Sequence, residues 1–261
     1  MTTEDFISAW FYRVDAAMQD VPKPPLANLW PSEVMTLGLL LALKGVGNRA
    51  CYRGVDRDLP RLFPAVPERT RRFRRLALHR QGTEEFLANP AVLGVVESYG
   101  SEWRHPRREG RRAQQLGRKG NSTHRWSVGG KLGLLLTHLG VGVAWDGAGA
   151  HVPDTAFQPR MEAVEDERMV LRDEGFPAQE GNPPHLKLWR RGRWNTRMLV
   201  ETVVSRLTGV CQLKKVLHRT GAAFQVRLAF TLAAFTLLVQ WHGLRPDATG
   251  LIRLSLAEFS L

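Results

Sequence analysis

The sequence predicts a mixed α/β protein whose first part is all helical. Apolar residues recur with helical spacing up to about residue 90. After that, three strand-like runs follow one another, and helices and strands then alternate. The length of 261 residues is enough for one large domain or two smaller ones. We therefore expect a small helical region at 1–90 and a mixed sheet flanked by helices at 91–261.

Three helices are expected before the most basic part of the first region. Residues 3–19 place apolar side chains on one face, and a proline-rich stretch ends that helix. Ser32 is the expected cap of a second helix, which has the apolar run Val34–Leu43 and stops at Gly45. A short third helix is expected at about 49–58.

The fourth helix, which follows Pro67, is strongly basic. Its narrow apolar seam consists of Phe73, Leu76 and Ala77. Arginines surround that seam: Arg69, Arg71, Arg72, Arg74, Arg75 and Arg80. Short helices that end in an arginine-rich one resemble a helix-turn-helix arrangement. We expect Arg71, Arg72 and Arg75 to contact DNA phosphates; the alternative is a solvated basic helix.

Five strands and three further helices are predicted after residue 90. The strands are expected at 91–97, 127–137, 141–145, 169–171 and 185–188. The helices are expected at about 155–164, capped by Asp154, after Asn195, and at 221–241. Within the last helix, the apolar run Leu228–Trp241 is too short to span a bilayer and is typical of a buried core helix.

The charge balance points to a polyanionic partner. The chain has 37 Lys and Arg residues against 25 Asp and Glu residues, a net charge of +12. Nucleic acid is the first expectation, and an anionic membrane surface is the rival. The membrane reading is disfavoured because the basic residues lie in loops between predicted strands and not opposite an apolar helix face.

Two basic stretches are candidates for contact with a DNA backbone. The first is a loop between the first two strands, where like charges would repel unless phosphate neutralised them: Arg104, Arg107, Arg108, Arg111, Arg112, Arg118, Lys119 and Arg125. Lys131 follows in the next strand. The second stretch carries Lys187, Arg190, Arg191 and Arg193 beside Trp189 and Trp194. These tryptophans either stack on unpaired bases or belong to the core.

Three acids lie where a carboxylate is costly unless a cation sits nearby. Asp173 follows the buried run Met169–Leu171, and Glu97 ends the apolar run 91–96. Glu201 lies inside an apolar helical stretch. One interpretation is that the three converge on divalent metal; the other is that each is solvated or salt-bridged. Asp146, read as part of a turn, and Asp154, read as a helix cap, are the reserve ligands.

The two cysteines and the first residues predict a cytoplasmic protein. Cys51 and Cys211 form no CxxC pair, so both are expected to be buried thiols in a reducing compartment. Residues 1–20 include the acids Glu4, Asp5 and Asp15, which excludes a secretory signal there.

Residues 91–244 resemble the catalytic domain of bacterial insertion-sequence DDE transposases, which have a ribonuclease H-like fold. Val95–Tyr99 matches a strand that ends in the first acid of that family, usually Asp followed by Ser. His105–Arg111 and Trp126–Lys131 match its basic loop and second strand. Val170–Phe176 matches the strand that carries the second acid, which is commonly followed by a Gly-Phe pair.

The third acid lies in the most discriminating block of the resemblance. Many of these transposases share Tyr, two residues, Arg, three residues, Glu, six residues, Lys. Placed on Glu201, this signature matches Arg197, puts Trp194 at the Tyr position and Thr208 at the Lys position. Arg197 and Glu201 are four residues apart, so they share a helix face in any family.

The resemblance implies a metal-dependent enzyme that cleaves and joins DNA. Glu97, Asp173 and Glu201 would be the catalytic residues and would hold two Mg²⁺ or Mn²⁺ ions, which prefer oxygen ligands. The partners would be double-stranded DNA, at element ends and target, and further copies of the chain on that DNA. Cytoplasmic, nucleoid-associated localisation is expected.

Two departures from the family pattern keep other readings open. Glu97 stands where Asp is usual, and its extra methylene moves the carboxylate by roughly 1 Å. Thr208 replaces the Lys of the signature, unless Lys214 or Lys215 supplies it. The alternatives are a weak or inactive transposase-derived DNA-binding protein, or a nuclease of the same fold that does not join strands.

Overall fold

Helical periodicity in the first 90 residues and near the end of the chain produces six α-helices among the residues that the structure describes. In this computed structural model those residues are 2–89, 93–104, 116, 118–122, 125–157, 159, 169–172, 186–188, 196–213 and 220–242. The helices are α1 (Thr3–Ala17), α2 (Pro31–Lys44), α3 (Asn48–Asp58), α4 (Arg69–Leu78), α5 (Thr196–Gly209) and α6 (Gly221–His242). Short 3-10 helices span Gln81–Phe86 and Asp154–Phe157.

The strands form one mixed sheet, so the predicted α/β class is confirmed. They are β1 (Leu93–Arg104), β2 (Lys119–Ser122), β3 (Arg125–Thr137), β4 (Gly142–Gly149), β5 (Met169–Arg172) and β6 (Leu186–Leu188). Strand β3 pairs antiparallel with β1 along one edge and with β2 and β4 along the other. Strand β5 adds to β1 in parallel, and β6 adds to β5 in parallel. Three long antiparallel strands are therefore followed by two short parallel ones.

The largest differences from the predicted strands are at β1 and β2, and β4 also runs past its expected end at residue 145, to Gly149. β1 was expected to end at Glu97 but continues to Arg104, because residues 98–104 find partners along β3. β2 lies inside the stretch predicted as a basic loop, where Lys119–Ser122 pairs with β3. Backbone pairing with a long neighbouring strand explains both differences, since β propensity depends strongly on such context.

The start of α2 also differs from its prediction. Ser32 was expected to cap this helix, but Trp30 holds the cap position and Pro31 is the first helical residue. Pro suits that position because its missing N–H would have no partner there. Glu33 reaches back so that its Oε2 accepts from the Trp30 backbone N–H at 2.6 Å. Ser32 is buried within the first turn. Gly45 ends the helix in the left-handed region, with φ of 58°, as expected.

Helix α6 lies at the centre of the core. Leu228 and Ala233 are fully buried, and α6 packs against α2, the first 3-10 helix and β4. Gly38 on α2 allows the ring of Phe230 to lie directly against its backbone, since a Cβ there would be 2.2 Å from Phe230 Cε1. The prediction of a buried final helix at 221–241 is confirmed.

Arg227 on α6 binds the end of α2 from inside the core. Its Nη2 donates to the Ala42 carbonyl oxygen at 3.3 Å, and its Nη1 donates to the Leu41 carbonyl oxygen. The last carbonyls of a helix lack partners within that helix and attract positive charge. Burial lowers the pKa of Arg227 to about 10. No pattern in the sequence identified this contact.

The four N-terminal helices share their core with the C-terminal helix. Trp10 of α1, Leu39 of α2 and Leu76 of α4 belong to one buried cluster. The same cluster contains Phe230 of α6 and Leu134 of β3. The domain boundary between residues 90 and 91 stays a prediction. Apolar side chains from both sides of it pack into the same core.

Helix α6 is long and apolar enough by length and composition to cross a bilayer, which corrects the expectation that its apolar run was too short. The helix begins at Gly221, so the candidate span covers 21 residues, and 78% of its apolar window is buried inside the fold. Helices α2 and α3 are long and apolar enough to cross a bilayer only if they are taken together, and the angle between them is 115°. Burial of α6 is compatible with a soluble protein.

The buried thiol of Cys211 is expected to make stability fall as the pH rises above 9. Burial raises the pKa of Cys211 from 9.0 to about 12, so the folded state keeps a proton that the unfolded state releases. The contribution of this thiol to the free energy of unfolding is fully present below pH 9. Above pH 9 it declines by up to about 1.4 kcal/mol per pH unit. Above pH 10 the lowered pKa of Arg227 acts in the opposite direction.

Urea unfolding of the wild-type chain and of Cys211→Ala between pH 8 and 10 measures this effect. Lost packing displaces the whole Cys211→Ala curve, so the slope against pH is the quantity to compare. The wild-type slope should be steeper than that of the variant. Equal slopes would mean that the thiol ionises in the folded protein about as easily as in the unfolded chain.

Candidate active site

The backbone register brings together the strand positions that precede two of the predicted acids. Parallel pairing of β1 with β5 places Val96 opposite Arg172. Neighbouring strands in a sheet lie about 4.8 Å apart. Glu97 is the next residue along β1, and Asp173 follows Arg172 in the sequence. Asp173 itself lies outside the described residues.

Helix α5 carries the third acid and packs against β1. Its apolar residues Leu199, Val200, Val203 and Leu207 are buried, with exposures of 8% or less. Two of them touch the turn between β3 and β4: a Cβ on Gly140 would lie 2.9 Å from Val203 Cγ2 and 3.1 Å from Leu199 Cδ1. Gly140 also has φ of 80°, which favours glycine. This packing anchors α5 near the sheet while Glu201 is exposed.

Arg197 and Glu201 lie one turn apart on α5. The helix begins at Thr196, so Arg197 is in its first turn. The predicted cap, Asn195, lies outside the described residues, as do Trp194 and the basic cluster Arg190, Arg191 and Arg193. The i, i+4 spacing on one helix is thus confirmed for the arginine and the glutamate of the signature.

Helix α4 offers fewer exposed arginines than the sequence predicts. Arg71 is exposed and Arg75 is half-buried. Arg72, however, is only 1% exposed, and its Nη2 lies 3.6 Å from Cys51 Sγ. Arg72 is therefore inside the fold and not on a phosphate-facing surface, because the helix turns this residue and Leu76 toward the core.

Lys131 was expected to contact DNA, and the structure places it in an ion pair instead. Its Nζ lies 3.0 Å from Asp154 Oδ1 and donates to the Val152 carbonyl oxygen at 2.9 Å. Asp154 was read as a helix cap and a reserve metal ligand, but its carboxylate is engaged by this ammonium. The two opposite charges attract each other at this distance, and both side chains are half-buried. The pair joins β3 to the 3-10 helix that follows β4.

Asp146 was read as part of a turn but lies within β4, opposite Gly133. Its Oδ1 accepts from the Gly147 N–H at 2.7 Å and from Gln225 Nε2 of α6 at 3.2 Å. It lines a cavity of about 680 Å³ together with Arg80, Glu84 and Glu85. Asp146 is thus held by donors from β4 and α6.

The remaining predicted DNA contacts are divided between exposed and undescribed positions. Arg118 is exposed, and Lys119 lies in β2. Arg107, Arg108, Arg111 and Arg112 lie outside the described residues. Within the described part of the chain, no group of three or more His, Cys, Asp or Glu residues is arranged to hold a metal ion. Of the predicted triad, Asp173 lies outside that part.

Comparison with known proteins adds no relative. No family model matches the chain, and neither a curated protein nor a solved structure matches it.

Proposed function

We propose that this chain is a DDE-type DNA transposase with a ribonuclease H-like catalytic domain. It would cleave and join DNA with divalent metal at Glu97, Asp173 and Glu201. The observation that carries the proposal is the pairing of Val96 with Arg172, the residues that precede Glu97 and Asp173. Two acids far apart in sequence thereby follow paired positions on adjacent strands.

The topology supports the same proposal. A ribonuclease H-like sheet has three antiparallel strands followed by parallel strands added at the edge of the first. Strands β1, β3 and β4 supply the antiparallel part, and β5 and β6 extend the sheet from β1. Helix α5, with Glu201, packs against β1, the strand that carries Glu97. The third acid is therefore on an element in contact with the strand of the first.

Each acid has a distinct role in the proposed mechanism. Asp173 would be shared between two divalent ions, Glu97 would complete one site and Glu201 the other. When bound, these ions neutralise the charge that develops on the attacking and leaving oxygens. Arg197, one turn from Glu201, would hold a phosphate so that the scissile bond is in line.

Two successive reactions would take place at this site. Water first attacks a phosphorus at the element end, the bond to the 3′ oxygen breaks, and that oxygen leaves as a hydroxyl. The freed 3′-hydroxyl then attacks a phosphorus of the target DNA, which joins the two strands and releases a new 3′ end. The exposed Arg71 and Arg118, with the basic residues 107–112, would grip the DNA backbone.

A strand-joining assay tests the proposal directly. Purified chain, a labelled element end, supercoiled plasmid and Mg²⁺ should give label covalently attached to plasmid. Cleavage of the end without joining would favour a nuclease. Calorimetric titration with Mg²⁺ or Mn²⁺ completes the test, because metal binding that depends on Asp173 is expected and its absence would count against the enzyme.

A DNA-binding protein without catalysis is the second candidate, and Glu97 and Thr208 favour it. Both positions depart from the family pattern in residues that would face substrate or metal. Such a protein would bind DNA with strong salt dependence, bind no metal at Asp173 and leave DNA uncut.

Glu97→Asp is expected to preserve or raise the rate of Mg²⁺-dependent nicking. Shortening the side chain returns the carboxylate to the position usual for the family, and a misplacement of about 1 Å can cost on the order of 100-fold in rate. Initial nicking rates of wild type and variant measure the effect. Glu102→Asp, in the same strand, is the matched control. A large loss in Glu97→Asp alone would show that the longer side chain is required.

A further inference from the structure

Helix α4 buries an arginine that has no adequate acceptor. Arg72 is 1% exposed, and its only hydrogen bond within the described residues goes to Cys51 Sγ, at 3.6 Å. Within the described part of the chain, its Nε and Nη1 are buried without a hydrogen-bond partner, and so is Nη1 of Arg75, about one turn further on. Burying a guanidinium without satisfying its donors is strongly unfavourable, and sulfur is a weak acceptor.

The apolar seam of α4 is offset from the face that the helix buries. Arg72 and Leu76 point into the core, while Phe73 is half-buried and Ala77 is exposed. At 100° per residue, the mean direction of Phe73, Leu76 and Ala77 lies about 70° from that of Arg72 and Leu76. Leu76 belongs to both sets, so it remains near the interface in either orientation.

We propose that α4 rolls about its axis on binding DNA, turning Phe73 and Ala77 inward and delivering Arg72 to a phosphate. This inference rests on the proposed DNA-binding function. The free protein keeps Arg72 as an unsatisfied cation, and a roll of about 70° exchanges it for an apolar side chain. Arg75 turns outward with it. Phosphate is the acceptor that guanidinium groups match best, and it is supplied only when DNA is present.

The two orientations have opposing costs and gains, which makes α4 a two-state element. The observed orientation packs α4 on α2 and α6 and leaves Arg72 unsatisfied. The rolled orientation exposes Arg72, where water solvates the guanidinium in the free protein and a DNA phosphate binds it more strongly. DNA therefore has a differential interaction with the two states, which is what a ligand needs to shift such an equilibrium.

The test compares stability and DNA affinity in matched variants. Arg72→Leu removes the unsatisfied cation, so its Tm should rise by at least about 3 °C, since apolar replacement of buried charge is often stabilising. Its affinity for a fluorescein-labelled duplex, followed by anisotropy over a NaCl series, should fall about tenfold, and the salt slope should decrease by about one. Arg72→Met serves if Arg72→Leu does not fold.

Two further variants separate rolling from simple loss of charge. Arg53→Leu removes one exposed cation from α3 and should change neither Tm nor affinity appreciably. Phe73→Gln keeps every cation of α4 but removes the side chain that replaces Arg72 in the core. Phe73→Gln should lower the affinity for DNA several-fold, because the rolled state is no longer accessible. The salt slope of DNA binding should fall by about one, as for Arg72→Leu.

Three outcomes would overturn the inference. A Tm for Arg72→Leu at or below that of wild type would show that Arg72 is not an unsatisfied charge. Unchanged affinity in Arg72→Leu, or in Phe73→Gln, would show that α4 binds DNA without rolling. A wild-type chain with no salt-dependent affinity for DNA would overturn both the proposed function and the roll. This outcome differs from failure of the roll alone, because Arg72→Leu would still raise the Tm.

Discussion

Asp173→Ala and Glu201→Ala are each expected to lower Mg²⁺-dependent nicking of DNA by at least about a thousand-fold. Each would remove a ligand to an ion that stabilises developing charge by several kcal/mol, and each 1.36 kcal/mol corresponds to a factor of ten in rate. Affinity for DNA should stay nearly unchanged, because phosphates are held by arginines elsewhere. Nicking of supercoiled plasmid and anisotropy with a labelled duplex measure the two quantities on the same preparations.

The matched control is Asp56→Ala, which removes an exposed acid from α3. It should nick at the wild-type rate if the effect at Asp173 and Glu201 belongs to the site and not to the overall charge. Full nicking in either Asp173→Ala or Glu201→Ala would remove that residue from the mechanism. A wild-type chain that binds DNA but does not nick it would favour the non-catalytic candidate.

Gly38→Ala is expected to lower the free energy of unfolding by about 1–2 kcal/mol. In a helix interior Ala is favoured over Gly by about 1 kcal/mol, so propensity alone predicts stabilisation. The added Cβ would, however, lie 2.2 Å from Phe230 Cε1 and 2.4 Å from Cδ1 in the most buried part of the core. Overpacking typically costs 1–3 kcal/mol, and at so short a distance we expect about 3, which outweighs the gain. Urea unfolding at neutral pH measures the difference.

Gly54→Ala on α3 is the control, because it makes the same change without the clash. A Cβ there would have a single neighbour, Asp58 Oδ2 at 3.8 Å, so the variant should be more stable by about 1 kcal/mol. Opposite signs are therefore expected for two Gly-to-Ala changes in helices. Adding Phe230→Leu to Gly38→Ala should recover part of the loss, and no recovery would place the strain somewhere other than at this ring.

Hydrophobic periodicity predicted most of the elements because it reflects which side of each element is buried. The run Val34–Leu43 and the stretch 221–241 became α2 and α6, and Met169–Leu171 became β5. The pattern failed where pairing or packing with a distant segment decided the outcome. β1 extends past Glu97 because β3 is long enough to pair with it, and nothing within 98–104 signals that.

The site was predictable in its residue types and not in its geometry. The spacing of Arg197 and Glu201 placed both on one face of a helix, and α5 has that arrangement. The register of Val96 with Arg172 depends on contacts between strands that lie far apart in sequence, so local patterns could not supply it. Lys131 looked like a phosphate ligand because its partner Asp154 is 23 residues away along the chain and joins it only in the folded sheet.

The contact of Arg227 with the end of α2 has a consequence for synthesis of the chain. The Leu41 carbonyl and the guanidinium that caps it are 186 residues apart. At elongation rates of about 5–20 residues per second, α2 leaves the ribosome roughly 10–40 s before its partner exists. During that interval the apolar side of α2 has no α6 to cover it. Completion of the core is therefore a late event, and the side of α2 that α6 covers stays exposed in the nascent chain until then.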